Sequence, residues 1–592
     1  MREASEEILF ARRRLDEIEN LEIVGDLKWD ENESSWYLLV SIHVNEPNEK
    51  TIPDDSMWYI VFSANYPKGN VNVYPAVEGG IKNTFNHQNN NGIISKCGLW
   101  RSGKLCLNNP LEHVANIDNE PVTFEDRLYW NALRAVQWVN AVANGNLIRK
   151  NDYYEVPDFI GKKIHAVIYD EDEVSIMEWE DSEETYGFVD FSCGGNNQYY
   201  ANTFLSLAEK ICKSTKWGDY VNEKKEKIYG AWIIMDKEPV VNGWQAPNIF
   251  QELKIALSTQ NIDIKNILEK IMPRFRDGKR HILMIGFPIP KKIGEERTLI
   301  HWESLLLPVL TYGKKTAKGF RCNEQGQSRK DFQEIITNKM ELEWLITENW
   351  NSKEILSRGR FKRSLLRKKI LLVGAGTLGA YIGEHLVRGG AYRLSIMDDD
   401  IYTIGNSARH ILTIKSVGKH KASELAEHYN SISPTIAIKA ITKELTEETA
   451  SVMEEYDVIL DCTANNEVLK VLESHQMQSE KKYFSVSFGY MAEVLYFAYQ
   501  TGKSFKLDQY IDKFSGMLKQ DEKRVISSNL PWEGTGCWSP VFPAMASDVQ
   551  LVASFATGII KSVLENEVQE DRHYMYKKEF DEDGVIKGFV RI

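Results

Sequence analysis

A chain of 592 residues has room for about three or four domains. Its composition, 43% hydrophobic and 27% charged, supplies apolar material for several cores and excludes a disordered or fibrous class. The formal net charge of −13 argues against a dedicated nucleic-acid binder, because phosphate contact needs a basic face.

The first segment, MREASEEILFARRRLDEIEN, is charged and has no apolar stretch of the signal-peptide kind, so it reads as an amphipathic helix. The alternating stretches SWYLLVSIHV and MWYIVFSANYP read as antiparallel strands. A polar segment, NHQNNNGIISKCGLWRSGKLCLNNP, follows. Helical periodicity returns in FEDRLYWNALRAVQWVNAVANG, closed by Gly145. Residues 1–155 are therefore assigned to an α+β domain. Residues 160–355 read as a mixed α/β middle domain with no catalytic constellation. Its strands are KIHAVIYD, YGAWIIMD and HILMIGFPIP, and its helices APNIFQELKIALSTQ and IKNILEKIMPRF. The charged run RKDFQEIITNKMELEWLITENWNSKEILSRGRFKRSLLRKK reads as mostly helical. Residues 360–592 alternate as a doubly wound sheet does, with KILLVGAG, RLSIMDDD, YDVILDCTA and KYFSVSFG as strands and KHKASELAEHYN as a helix. No apolar run reaches about 18 residues, so neither a membrane span nor a membrane partner is expected.

The seven cysteines, Cys97, Cys106, Cys193, Cys212, Cys322, Cys462 and Cys537, include no C-x-x-C pair. That argues against a disulfide scaffold and a four-cysteine zinc site, and it fits a reducing cytoplasm. Cys106 stands in the polar, turn-prone GKLCLNNP, where a thiol serves packing poorly. Cys537 lies in WEGTGCWSPVFPAMASDVQLVASF, a few residues before a helix expected to begin near Pro543. A helix N-terminus favours a thiolate. Cys462 ends a strand and is expected to be packed.

GAGTLG, from Gly374 to Gly379, matches G-x-G-x-x-G between a strand and a helix. Glycines there let the backbone approach phosphates, which the helix N-terminus attracts. Asp398 and Asp400 follow at the next strand end, where a ribose hydroxyl is held. That pattern alone fits any dinucleotide enzyme. Asn406, Arg409 and Lys421 shift the balance, because three such side chains suit a triphosphate.

D-x-D, N-x-x-R and G-x-x-K after this loop resemble the ThiF/MoeB superfamily, which includes the ubiquitin-activating enzymes. The resemblance covers roughly residues 365–565. It implies ATP and Mg2+, with Asp398 and Asp400 on the ribose and near the magnesium. It places Asn406, Arg409 and Lys421 on the phosphates, His410 in the nucleotide pocket, and Asp461 as magnesium ligand. DCTANN has Ala464 where the family often carries a second acid, and either Arg358 or Arg360 is a candidate to complete the site. GKLCL resembles the active-site motif of ubiquitin-conjugating enzymes. NYPKGNVNVYP and His87-Gln88-Asn89 resemble two further motifs of that family, with Gln88 in place of proline. The spacing from Asn89 to Cys106 is longer than usual, as an insertion containing Cys97 and Trp100 explains. This resemblance implies that Cys106 receives an acyl group. It also implies that Asn89 donates to the oxyanion and that His87 is either a turn residue or an acid/base.

The fold class expected is multidomain α/β: an N-terminal conjugating-like domain, a mixed middle domain, and a C-terminal ThiF/Rossmann-like adenylation domain. In that order the domains resemble the fused activating–conjugating proteins of bacterial CBASS anti-phage systems, the CD-NTase-associated proteins. The resemblance implies adenylation of a donor protein's C-terminus, the donor being a cGAS-like nucleotidyltransferase. The acyl group would pass as a thioester to Cys537, then Cys106, then to a lysine or other amine, in a homodimer paired through the activating domain. Two alternatives stand beside it. One is an activator of a ubiquitin-like or sulfur-carrier protein that stops at adenylation. The other is a scaffold without enzymatic activity.

Overall fold

The computed structural model describes residues 3–31, 33–44, 52–107, 120–224, 226–313, 319–528 and 543–592; Cys537 lies outside the described residues. The chain divides into two units, Met1–Thr215 with Glu226–Asn349, and Lys216–Lys225 with Trp350–Ile592.

The first unit opens with helix α1 (Glu6–Arg14), capped by the Ser5 side chain. Four antiparallel strands follow in spatial order, β1 (Leu21–Asp30), β2 (Ser35–His43), β3 (Asp55–Ser63) and β4 (Val71–Pro75). Strand alternation buries Leu38, Val40 and Ile42 of β2 and Trp58, Ile60 and Phe62 of β3 on one face. Helix α2 (Phe124–Ala143) meets that face with Leu128, Ala132, Ala135 and Val139, spaced three and four apart. Tyr66 ties the start of α2 to the sheet. Its hydroxyl donates to Phe124 O (2.7 Å) and accepts from Leu128 N–H (3.0 Å).

The rest of this unit is a mixed sheet of β5 (Lys162–Tyr169), β6 (Tyr186–Gly194), β7 (Gln198–Leu205), β8 (Ile211–Ser214), β9 (Lys227–Ile234), β10 (Ile282–Pro290), β11 (Arg297–Leu306) and β12 (Trp344–Asn349). Its order is β5-β12-β11-β10-β9-β6-β7-β8, and β5 also pairs with β7, so the sheet curls back on itself. Trp179, Trp232, Trp302 and Phe204 fill one side; the helices Phe250–Ser258 and Ile264–Ile271 cover the other. The run read as mostly helical is corrected here, because ELEWLITENW supplies β12 between β5 and β11. Flanking charge suggested helix, but Trp344 and Leu345 are buried and the β-prone Trp, Ile and Thr pair across the sheet.

In the second unit β13 (Ile370–Val373), β14 (Leu394–Met397), β15 (Lys439–Ile441), β16 (Val458–Asp461) and β17 (Lys481–Phe488) form a parallel sheet in the order β15-β14-β13-β16-β17. Antiparallel β18 (Val494–Gly502), β19 (Arg572–Phe580) and β20 (Ile586–Arg591) extend it. All four residues of β13 are buried, as a central parallel strand requires. From β13 the chain goes first to β14 on one side and later to β16 on the other, a switch point whose carboxyl end favours ligand binding. Residues 216–225 join this unit through Gly218 N–H to Pro434 O (2.7 Å) and Asp219 N–H to Ile436 O (3.0 Å). The helix expected near Pro543 begins three residues later, at Ala546. No helix among the described residues is long and apolar enough to cross a membrane.

Candidate functional site

In the first unit, Cys106 is exposed between Leu105 and Leu107, both buried in the α2–sheet core. The alternation turns the thiol outward because the two leucines turn in. The His87–Asn89 segment lies antiparallel to it. Cys106 N–H donates to His87 O (2.8 Å) and Asn89 N–H to Lys104 O (2.9 Å). Gln88, in the place of a proline, is buried. Its Oε1 accepts from Phe85 N–H (3.0 Å) and its Nε2 donates to Gly103 O (3.1 Å), so the amide holds the turn that a proline ring would stiffen. His87 has φ +57°, the left-handed region of turns. The intervening residues fold back through Ile94–Arg101 and Ala76–Trp100 bridges. Trp100 packs against Tyr37, Tyr59 and Tyr74, so the long Asn89–Cys106 spacing leaves the pairing intact.

A cleft of about 670 Å³ opens over the thiol. Its walls include residues that the sequence did not single out: Glu155 and Asp158 from the segment after α2, and His301 and Glu303 from β11. Asn89 Nδ2–H donates to Asp158 Oδ2 (2.7 Å), which also accepts from Asn90 N–H (3.1 Å). Glu155 Oε2 accepts from His87 N–H (2.8 Å) and lies 3.3 Å from His87 Nδ1. On the α2 side, Glu120 is held by Arg127 (2.8 Å) and Asn131 (2.9 Å). His301 Nε2 is 2.8 Å from Glu303 Oε1, and Tyr169 OH lies 3.3 Å from His301 Nδ1. Burial raises the Glu303 carboxyl, the His301 contact opposes the rise, and the charge of Asp158 adds to it. The middle domain thus lines this cleft, through residues that the sequence pattern left unmarked. The signal in DYYEVPDF and HWES was too short to read without the fold.

In the second unit the glycine loop leaves β13 at its carboxyl end. Gly374 has φ +96°, and a Cβ there would meet the Cys462 and Thr463 backbone at 3.0 Å. A Cβ on Gly379 would lie 2.1 Å from Gly374 O. These two glycines are set by packing. A Cβ on Gly376 would meet no protein atom within 4 Å, yet Gly376 caps the Thr377–Arg388 helix at the N-terminus that suits a phosphate. Asp398 braces the loop, with Oδ2 accepting from Ala375 N–H (2.6 Å) and Oδ1 from Asp400 N–H (2.9 Å). Burial raises its carboxyl while these hydrogen bonds oppose the rise. Lys421 Nζ is 2.7 Å from Asp400 Oδ2. Asn406 Oδ1 accepts from Thr403 N–H (3.0 Å), and Arg409 follows on the same turn, its backbone N–H bonded to Asn406 O (3.1 Å). His410 is buried beneath. Its Nε2–H donates to Ala375 O (2.9 Å), Nδ1 accepts from Leu412 N–H (3.1 Å), and burial lowers its pKa to about 4. It braces the glycine loop from behind. Arg358 and Arg360 are exposed.

The carboxylates of Asp398, Asp399 and Asp400 converge, their oxygens within 4.8 Å of one another, a hard-oxygen set suited to magnesium. Asp461 differs. It is buried, Oδ1 accepts from Thr463 N–H (3.0 Å) and Thr463 Oγ1–H (2.6 Å), and Oδ2 accepts from Ser485 Oγ–H (2.8 Å). Its oxygens hold the β16 end together, as those of Asp398 hold the glycine loop. Cys462 is packed as expected, its thiol pKa pushed up by burial.

The Cap2 central linker domain family matches residues 145–350, and the ThiF family matches residues 351–568. A protein of Enterobacter hormaechei subsp. hoffmannii described as "ATP-dependent ubiquitin transferase-like protein Cap2" is 30% identical over 568 residues, 93% of this chain and 93% of that one. The chain belongs to the Cap2 family. It is an ATP-dependent, ubiquitin-transferase-like enzyme with a ThiF domain. A Cap2 protein of Escherichia coli is 31% identical over 148 residues, 24% of each chain. The "Adenylyltransferase and sulfurtransferase UBA4" of Debaryomyces hansenii is 34% identical over 111 residues, 18% of this chain and 24% of that protein. As a Cap2 member the chain combines the ThiF loop with the cleft of an exposed cysteine.

Proposed function

We propose that the chain activates the C-terminal carboxylate of a donor protein with Mg-ATP and ligates it to an amine. The carboxylate attacks the α-phosphate, giving an acyl adenylate and pyrophosphate. Cys537 displaces AMP to form a thioester, and Cys106 takes the acyl group by thiol exchange. The nitrogen of a lysine or other amine then displaces the Cys106 thiolate. The donor is the C-terminus of a cGAS-like nucleotidyltransferase, and the setting is anti-phage defence in the cytoplasm, with the activating domains paired as a homodimer.

The nucleotide would lie on Gly374, Gly376 and Gly379, its ribose toward Asp398 and Asp400. Asn406, Arg409 and Lys421 would take the phosphates, Lys421 leaving Asp400 to do so. Magnesium would draw on Asp461 and the Asp398–Asp400 carboxylates and neutralise phosphate charge. The observation that carries the reading is Cys106, an exposed thiol paired through the backbone with the Asn89 segment in a chain that also bears a ThiF domain. The Asn89 amide would donate to the oxyanion formed when the amine attacks.

A thioester trap tests it. Incubate wild type, Cys106→Ala and Cys537→Ala with Mg-ATP and a cGAS-like donor, then compare non-reducing and reducing gels. The expected pattern is a thiol-sensitive adduct on wild type, retention on Cys537 in Cys106→Ala, and no adduct on Cys537→Ala. Pyrophosphate exchange without any adduct would support adenylation alone.

A further inference from the structure

The helix-side face of β11 is an odd place for a charged pair. Ile300 and Trp302 point into the aromatic core, while Leu305 on the opposite face joins the helix-covered core with Ile285 and Phe287 of β10. His301 and Glu303 share that second face, paired in register with Phe287 and Ile285. A carboxylate among such neighbours is costly to desolvate, and Glu303 is only 12% exposed. It opens on the Cys106 cleft.

The carboxylates of this cleft differ in what answers their charge. Glu120 is paired with the Arg127 guanidinium, and Glu155 lies against His87. Asp158 accepts from an amide and a backbone N–H, and Glu303 from an imidazole whose other nitrogen faces the Tyr169 hydroxyl. The cleft wall opposite the conjugating-like domain is therefore acidic, which suits an incoming ammonium.

We propose that the middle domain supplies the acceptor-amine end of the transfer site: Glu303 binds the incoming ammonium and takes its proton, and His301 holds the carboxylate in place. The proposal rests on reading Cys106 as the acyl carrier. One proton passes from the ammonium to Glu303. The neutral nitrogen then attacks the thioester carbonyl, forming the C–N bond, and the oxyanion lies toward the Asn89 amide. Collapse breaks the C–S bond. The departing thiolate takes the second nitrogen proton, and Glu303 releases the first to water. The raised carboxyl makes Glu303 a better proton acceptor near neutral pH.

The test uses the full chain carrying Cys537→Ala, acylated at Cys106 with a peptide 2-mercaptoethanesulfonate thioester. Cys106→Ala measures acylation elsewhere. Discharge is followed by intact mass with free lysine and with hydroxylamine at neutral pH. The lysine ammonium, pKa about 10.4, must lose a proton, whereas hydroxylamine is already neutral. Glu303→Gln is expected to slow the lysine reaction at least about tenfold and the hydroxylamine reaction by less than about twofold. His301→Gln should show the same split with a smaller factor, and Glu303→Asp should recover part of the lysine rate. If Glu303→Gln does not fold, the split is read from the other two variants. Equal slowing with both nucleophiles would make the pair structural and overturn the proposal, as would unchanged lysine discharge. Failure of donor and Mg-ATP to load Cys106 of the wild-type chain would sink the parent reading instead, and the chemically acylated Cys537→Ala protein separates the two.

Discussion

The glycine loop and the thiol cleft are assembled from the chain in contrasting ways. In the second unit, six consecutive residues, Gly374–Gly379, and side chains from Asp398 to Lys421 meet at the end of one buried strand. In the first unit, the Cys106 cleft draws on residues 70–72, 88–89 and 104–107, on 120, 127 and 131, on 155–159, and on 301 and 303. A phosphate site can be local, because its donors are backbone N–H groups and glycine gives the approach. A site that positions an acyl carrier against a second reactant needs walls on several sides, and a short strand-and-turn segment supplies one. Local sites announce themselves as motifs, and walled sites do so only in the part that carries the nucleophile.

The contrast is sharpest at the glycines. Gly376→Ala adds a methyl group that meets no protein atom, so the melting temperature should hold while pyrophosphate exchange falls about a hundredfold. Gly379→Ala forces a Cβ against Gly374 O, so it should lower stability and exchange together. Equal stability loss in both would show that packing sets all three glycines, and the loop would lose its claim to a phosphate.

A smaller effect probes the cleft wall. Asp158 fixes the Asn89 amide through a 2.7 Å hydrogen bond. Asp158→Ala should slow discharge of the Cys106 thioester about tenfold and leave pyrophosphate exchange within about twofold. A matched loss in both assays would mean that the change damages the chain as a whole.

The smallest effect is a pH slope in the second unit. His410 is held near pKa about 4 by burial, against an ordinary value of about 6.5. Between these values the unfolded chain binds a proton that the folded chain refuses. Stability therefore falls as pH drops from about 6.5 toward 4, by up to about 3 kcal/mol. His410→Gln keeps a donor for Ala375 O and removes the titration. Its melting temperature should lose less between pH 7 and 5 than that of wild type, by about 2–4 °C. Parallel acid slopes would place the proton uptake elsewhere and leave His410 as packing alone.

Much of the architecture could be read before any coordinates. Period-2 alternation marked β2 and β3, and continuous apolar runs marked β13, β14 and β16. The pattern failed at β12, where flanking charge outweighed the β-prone WLIT.

By itself the sequence determined the doubly wound unit, the glycine loop and the oddity of Cys106 in a polar, turn-prone stretch, because each depends on neighbours close along the chain. The tertiary structure decided that Glu155, Asp158, His301 and Glu303 face that thiol. These residues lie between 49 and 197 positions beyond Cys106, and only the fold brings them to one wall. Side-chain alternation on β11 is a local property, but which face meets the cleft is fixed by the packing of one domain on the next.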